Sequence, residues 1–274
     1  MCEQTIGKTM VKICGLRRPK DVVAVNRLEP DLAGFILSPG YRRTIYPEQA
    51  QILRQILSPR IRTVGVFVDA PFQEILQAAE GGWIDMIQLH GKEDETYIQR
   101  LSALTDLPLI KAFRIQERKD LEAAAASPAE WILLDSGTGT GRRFDWDLLE
   151  GFLEEHGADT PEGRTKGLAK SMAKTEDKSA QEAGQAPRNA AGILFPGGHP
   201  WLLAGGLSAE NVRAAIGRFH PTAVDVSSKV ETDGCKDPEK MQAFLSAARM
   251  ETGQYARAPG GSAEQKKAWQ QGSR

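Results

Sequence analysis

Eight short runs of β-branched and aliphatic residues, each followed by a segment of helical period, constrain the fold of this chain more than any other feature. The runs are 11–15, "LAGFIL" (32–37), "TVGVFV" (63–68), "MIQLH" (86–90), "LIKAF" (109–113), "WILLD" (131–135), "WLLAG" (201–205) and "AVDVSS" (223–228). Between them, "PKDVVAVNRL", "PEQAQILRQIL", "PFQEILQAAEG", "DETYIQRLSAL", "SAENVRAAIGRF" and "PEKMQAFLSAAR" space their apolar residues as one helix face, several behind a Pro or Ser suited to a helix start. Parallel strands need helical crossovers, and eight βα units of about 25 to 30 residues can close a sheet on itself. The expected fold is therefore α/β, a single (β/α)8 barrel over residues 10–250. An open doubly wound sheet would carry a glycine-rich dinucleotide turn after its first strand, and "CGLRRPKD" is not one. Two stretches break the pattern. Residues 156–192 are polar, rich in Ala, Gly and Lys, and too poor in apolar anchors to offset the entropy of ordering, so they read as a disordered insertion before strand seven. Residues 251–274 have the same character and read as a disordered tail.

Net charge is −1 over 274 residues, which supplies no basic field of the kind that gathers nucleic acid or anionic membrane. The three cysteines, Cys2, Cys14 and Cys235, show neither a disulfide framework nor metal-ligand spacing, and fit a reducing compartment. The opening "MCEQTIGKTM" lacks the apolar core of a signal peptide, and no apolar run approaches the roughly 18 residues of a membrane span. A cytoplasmic protein with small partners is expected.

Side chains of one parity along each barrel strand face the lumen, so the polar interruptions can be collected. They are Lys12 and Cys14 on strand one, Gln88 and His90 on strand four, Lys111 on strand five, Asp135 on strand six, and Asp225 and Ser227 on strand eight. A purely structural barrel fills its interior with Val, Ile and Leu. Buried charges cost several kcal/mol each unless paired, so Lys12 and Lys111 are expected opposite Asp135 and Asp225 in a neutral network. Cys14, His90, Asp135 and residues 225–228 fall at C-terminal strand ends, the face where such barrels assemble their sites. A buried thiol is usually an inert small hydrophobe. A lysine one pleat beneath it can lower its pKa and make thiolate available. Lys12 either tunes Cys14 or holds the acids, and the residues alone do not separate the two.

The loops after strands seven and eight carry a phosphate signal. "AGGLSAENV" runs through Gly205 and Gly206 to a helix capped by Ser208, and "DVSSKVE" sets Ser227 and Ser228 after the last strand. Backbone N–H groups in these two loops are where barrels hold phosphate. In "SPGYRRTI", Arg42 and Arg43 sit near the same rim, where a guanidinium can grip a carboxylate. The glycine-rich "DSGTGTGRRFDW" reads as a lid.

Taken in order, "KICGL", "GFILSPGYRR", "VGVFVD", "IQLHG", "ILLDS", "GTGRRFDW", "AGGLSAENV" and "AVDVSSKVE" resemble the phosphoribosylanthranilate isomerases of tryptophan biosynthesis. The resemblance covers about residues 10–155 and 195–249. It implies an aldose-ketose isomerase, an intramolecular oxidoreductase working by Amadori rearrangement. The substrate is N-(5'-phosphoribosyl)anthranilate, and neither cofactor nor metal is implied. By position, Cys14 matches the general base, Asp135 the general acid and Arg43 the arginine for the anthranilate carboxylate. Asp225 is expected on the ribose hydroxyls or bridging amine, with the N–H groups around Gly206 and Ser228 on the phosphate. His90 is expected beside the substrate as a packed, hydrogen-bonded ring rather than a proton carrier. The only partner implied is the phosphorylated aminosugar, with the chain a monomer or homodimer. One departure stands out: the family commonly has glycine after the serine pair, and this chain has Lys229, strained if that position needs positive φ. Two other readings compete. The histidine-pathway isomerase would show an aspartate at the strand-one position, and a catalytically dead scaffold would use the insertion as its surface.

Overall fold

A lumen lined by small and aliphatic side chains organises the molecule. The computed structural model describes residues 8–135, 145–156 and 192–250. Eight parallel strands close into a barrel in sequence order: β1 (Met10–Cys14), β2 (Leu32–Ile36), β3 (Arg62–Phe67), β4 (Met86–Leu89), β5 (Leu109–Arg114), β6 (Trp131–Asp135), β7 (Trp201–Leu203) and β8 (Ala223–Val226). The helices between and after them are α1 (Pro19–Leu28), α2 (Pro47–Ile56), α3 (Phe72–Glu80), α4 (Glu95–Ser102), α5 (Arg118–Ala125), α6 (Trp146–Glu155), α7 (Val212–Phe219) and α8 (Pro238–Arg249). Closure is made where β1 pairs with β8, a register that sets Lys12 beside Asp225.

The strands are buried on both faces, and their parity divides the apolar residues into two clusters. Met10, Leu32, Val64, Met86, Ile110 and Leu133 pack inside the barrel. Val11, Ile13, Ile87, Leu109 and Leu134 pack with Val22, Val25, Leu53 and Phe244 in the layer between sheet and helices. Residues sharing the parity of Met10 therefore point inward, which puts Lys12 and Cys14 in the lumen.

Helix starts follow their local chemistry. Pro occupies the first turn of α1, α2 and α8, and Asp94, Asp145 and Asp237 cap α4, α6 and α8 by accepting from backbone N–H groups. The expected Ser208 cap is displaced. A turn intervenes, and Asn211 precedes α7 while its Oδ1 accepts from Ser208 N at 2.8 Å. The last barrel strand also ends earlier than expected: residues 228–230 form a 3-10 turn, followed by a two-stranded hairpin of β9 (Glu231–Thr232) and β10 (Cys235–Lys236). The insertion, the tail and most of the glycine-rich loop after β6 lie outside the described residues. Among the described residues no helix is long and apolar enough to cross a membrane.

Candidate active site

The C-terminal end of the lumen holds a polar chain that crosses the barrel. Lys12, fully buried, places Nζ 3.1 Å from Asp225 Oδ1 and donates to Gln88 Oε1 at 2.6 Å. Gln88 Nε2 lies 2.8 Å from His90 Nδ1, and His90 Nε2 lies 3.6 Å from Asp135 Oδ2. An ammonium only donates, so Gln88 must turn its carbonyl oxygen to Lys12 and its amide N–H to His90. His90 Nδ1 is then the acceptor, and the neutral ring carries its proton on Nε2, toward Asp135. The 3.6 Å gap is too long for a hydrogen bond.

Cys14 ends β1, shares the inward parity of Lys12, and is buried and free. Its partner in register on β2 is Gly34, where a Cβ would come 2.7 Å from Cys14 Sγ; the glycine is what lets the thiol fit. Burial pushes the thiol above its ordinary value; Lys12 opposes this, Asp225 adds to it, and Lys236 opposes it. Lys12 thus acts on the thiol in the direction one of the two readings gave it, but burial outweighs it. For Lys12, burial pulls the ammonium down but Asp225 and Cys14 together outweigh it, leaving the pKa raised. Removing one member of a buried pair costs about 3–5 kcal/mol, so Lys12 has a structural reason to be present whatever it does for the thiol.

Lys111 requires a correction. Ile110 and Ala112 face the lumen, so Lys111 faces the helix layer. There its ammonium donates at 2.7 Å to Glu93 Oε2 and to Gly91 O, while Glu93 accepts from the backbone N–H groups of Asp69 and Gly91. It braces the loop after β4 and does not meet Asp135 or Asp225. Among the described residues Lys12 forms its buried lumen pair with Asp225. The buried Asp225 Oδ1 lies within ion-pair distance of Lys12 but accepts no hydrogen bond among the described residues.

Gly205 and Gly206 have φ of 82° and 77°, two successive left-handed residues that only glycine adopts without strain. Among the described residues the N–H groups of Gly205, Gly206 and Ser228 donate no hydrogen bond within the protein. The Ser227 hydroxyl donates to Cys14 O at 3.1 Å, tying the end of β8 to β1. Lys229 lies in the 3-10 turn, is exposed and has no positive φ, so lysine is unstrained where the family commonly has glycine.

Arg43 faces the same rim, but its Nε and Nη2 are held by Glu231 at 2.6 and 3.0 Å. Neither Glu231 nor its other buried partner, Lys236, is among the residues expected at the site. The signal for them was the "DG" of the β9–β10 turn, where Asp233 and Gly234 both have positive φ, the signature of a tight hairpin.

The model of the N-(5'-phosphoribosyl)anthranilate (PRA) isomerase family matches residues 11–166 and 190–247. An N-(5'-phosphoribosyl)anthranilate isomerase of Endomicrobium trichonymphae is 36% identical over 236 residues, covering 84% of this chain and 94% of the relative. Among solved structures, a phosphoribosyl anthranilate isomerase in complex with reduced 1-(o-carboxyphenylamino)-1-deoxyribulose 5-phosphate superposes with a TM-score of 0.64 at 28% identity, covering 88% of this chain and 98% of that one. A structure of generated monomers of the dimeric phosphoribosylanthranilate isomerase from Thermotoga maritima gives the same TM-score, identity and coverage.

Proposed function

The chain belongs to the N-(5'-phosphoribosyl)anthranilate isomerase family, and we propose that it converts N-(5'-phosphoribosyl)anthranilate into 1-(2-carboxyphenylamino)-1-deoxyribulose 5-phosphate with Cys14 as general base and Asp135 as general acid. What supports the assignment is that Cys14 at the end of β1 and Asp135 at the end of β6 share the inward parity of Lys12 and Leu133 at the barrel's C-terminal end, with His90 Nε2 3.6 Å from Asp135. Asp135 gives a proton to the furanose ring oxygen, and the ring opens to a Schiff base. That cation acidifies the C2' proton, which the Cys14 thiolate removes, and the resulting enolamine tautomerises to the aminoketose. The Asp225 carboxylate, partly exposed while its Oδ1 faces Lys12, accepts from a sugar hydroxyl, and His90 packs beside the sugar. The N–H groups of Gly205, Gly206 and Ser228 hold the phosphate, and Ser227 contributes its place in the loop rather than its hydroxyl. Arg43 takes the anthranilate carboxylate.

Every group named in these steps belongs to one chain, so one subunit suffices whether the protein is a monomer or a homodimer. A reduced thiol base suits the cytoplasm, where we place the enzyme. The decisive experiment follows the fluorescence of phosphoribosylanthranilate as purified protein consumes it; consumption no faster than the uncatalysed decay removes the proposal.

Lys229 gives a prediction particular to this chain. Its exposed ammonium borders the phosphate loop, so Lys229→Gly is expected to raise KM about three- to tenfold with kcat unchanged, the scale of one exposed charge-assisted contact. The difference should shrink as salt is added. A KM that does not move, at low salt, takes Lys229 out of the phosphate site.

A further inference from the structure

Glu231 opens the β9–β10 hairpin, and its carboxylate is nearly buried, with the side chain 5% exposed. Four donors from three cations converge on it: Arg43 through Nε and Nη2, Arg42 Nη2 at 2.5 Å and Lys236 Nζ at 2.9 Å. Lys236, 1% exposed at its side chain, also donates to Ser227 O at 2.9 Å. The cluster sits directly against the base. A Cβ on Gly15, the residue after Cys14, would come 2.5 Å from Arg43 Cδ and 3.3 Å from Ser227 Oγ, so the arginine stem lies on the Cys14–Gly15 turn.

A guanidinium offers two edges for a carboxylate: the side edge of Nε with one terminal nitrogen, and the end edge of both terminal nitrogens. Glu231 occupies the side edge of Arg43. We propose that Glu231, seated on Lys236, is a positioning residue that clamps Arg43 side-on, so that its end edge faces the lumen rim and receives the carboxylate of the substrate's aromatic ring. The inference rests on the functional reading above and deepens it. One carboxylate against three cations leaves the cluster with a positive surplus, as a site for an anion requires. Burial raises the Glu231 carboxyl, but the hydrogen bonds from Arg43 and Lys236 outweigh that and bring it down to about 2, so the clamp stays ionised at every practical assay pH. Lys236 is held below its ordinary value by burial, with Glu231 opposing, so its charge depends on the carboxylate it serves.

The test compares two probes by calorimetry: the reduced 1-(o-carboxyphenylamino)-1-deoxyribulose 5-phosphate and the same compound without the ring carboxyl. Wild type should bind the first more tightly. Glu231→Gln should weaken the first about tenfold, on the scale of one charge-assisted hydrogen bond, and the second less than about twofold. In turnover the same variant should raise KM about tenfold with kcat within about threefold, and Glu231→Asp should recover part of the loss. Arg43→Lys, which keeps the charge and loses the fork, should show the same selectivity and carries the test if Glu231→Gln does not fold. Equal losses for both probes, or no loss for either, overturn the clamp while wild-type turnover leaves the functional reading standing. A wild type that neither turns over phosphoribosylanthranilate nor prefers the carboxylated probe overturns both.

Discussion

Cys14→Ala is expected to lower kcat at least about a hundredfold, the low end for losing a general base, while the barrel remains folded. The side chain is small, and its deletion removes one sulfur from beside Gly34, a stability change of about 1 kcal/mol. Lys12 keeps Asp225 and Gln88 as partners, so no buried charge is stranded. The pH dependence separates this role from simple packing. Burial and Asp225 hold the thiol above its ordinary value, against Lys12 and Lys236. A base acts only when deprotonated, so wild-type kcat/KM should climb with pH on the alkaline side of neutrality as the thiolate fraction grows. Residual activity in the alanine variant should lack that limb. Turnover near the wild-type level, or an unchanged limb, would remove Cys14 as the base.

The strands and their order were legible because each is a short apolar run bounded by turn chemistry and followed by a helical period; observed and expected limits differ by a residue or two at most strands. The inward parity of β1 was legible for a different reason. Lys12 and Asp225 become neighbours as soon as strands one and eight are joined, and a buried pair is the only economical arrangement for both. Lys111 was misread because β5 is buried on both faces: Ile110 and Ala112 fill the lumen as readily as Leu109 and Phe113 fill the helix layer, so alternation does not say which face is which. Its true partner, Glu93, lies in a loop where strand parity gives no guidance. Beyond β8, an expectation of extended chain through Ser228 hid the 3-10 turn and the two-residue strands after it. Strands that short carry no readable alternation, and only their D-G turn announced them. The Glu231–Lys236 cluster was therefore invisible in a reading confined to barrel strands.

Asp135→Asn is expected to lower kcat at least about a hundredfold with KM changed far less, because the amide keeps the carboxyl's shape and loses its transferable proton. The lumen chain sharpens this expectation. Lys12 fixes Gln88, Gln88 fixes the His90 tautomer, and the protonated Nε2 lies 3.6 Å from Asp135 Oδ2. A protonated nitrogen beside Oδ2 favours placing the acid proton on Oδ1, so the two oxygens are not equivalent as donors. In the asparagine variant the same N–H selects the amide orientation with oxygen toward His90 and nitrogen toward the sugar, which still hydrogen-bonds the ring oxygen but cannot protonate it. Substrate binding should survive while ring opening fails. The reduced product analogue should bind within about threefold of wild type, since it presents an open chain with no ring oxygen to protonate. A variant that retains near-normal kcat would assign the proton to another group, and one that loses analogue affinity as steeply as kcat would make Asp135 a binding residue instead.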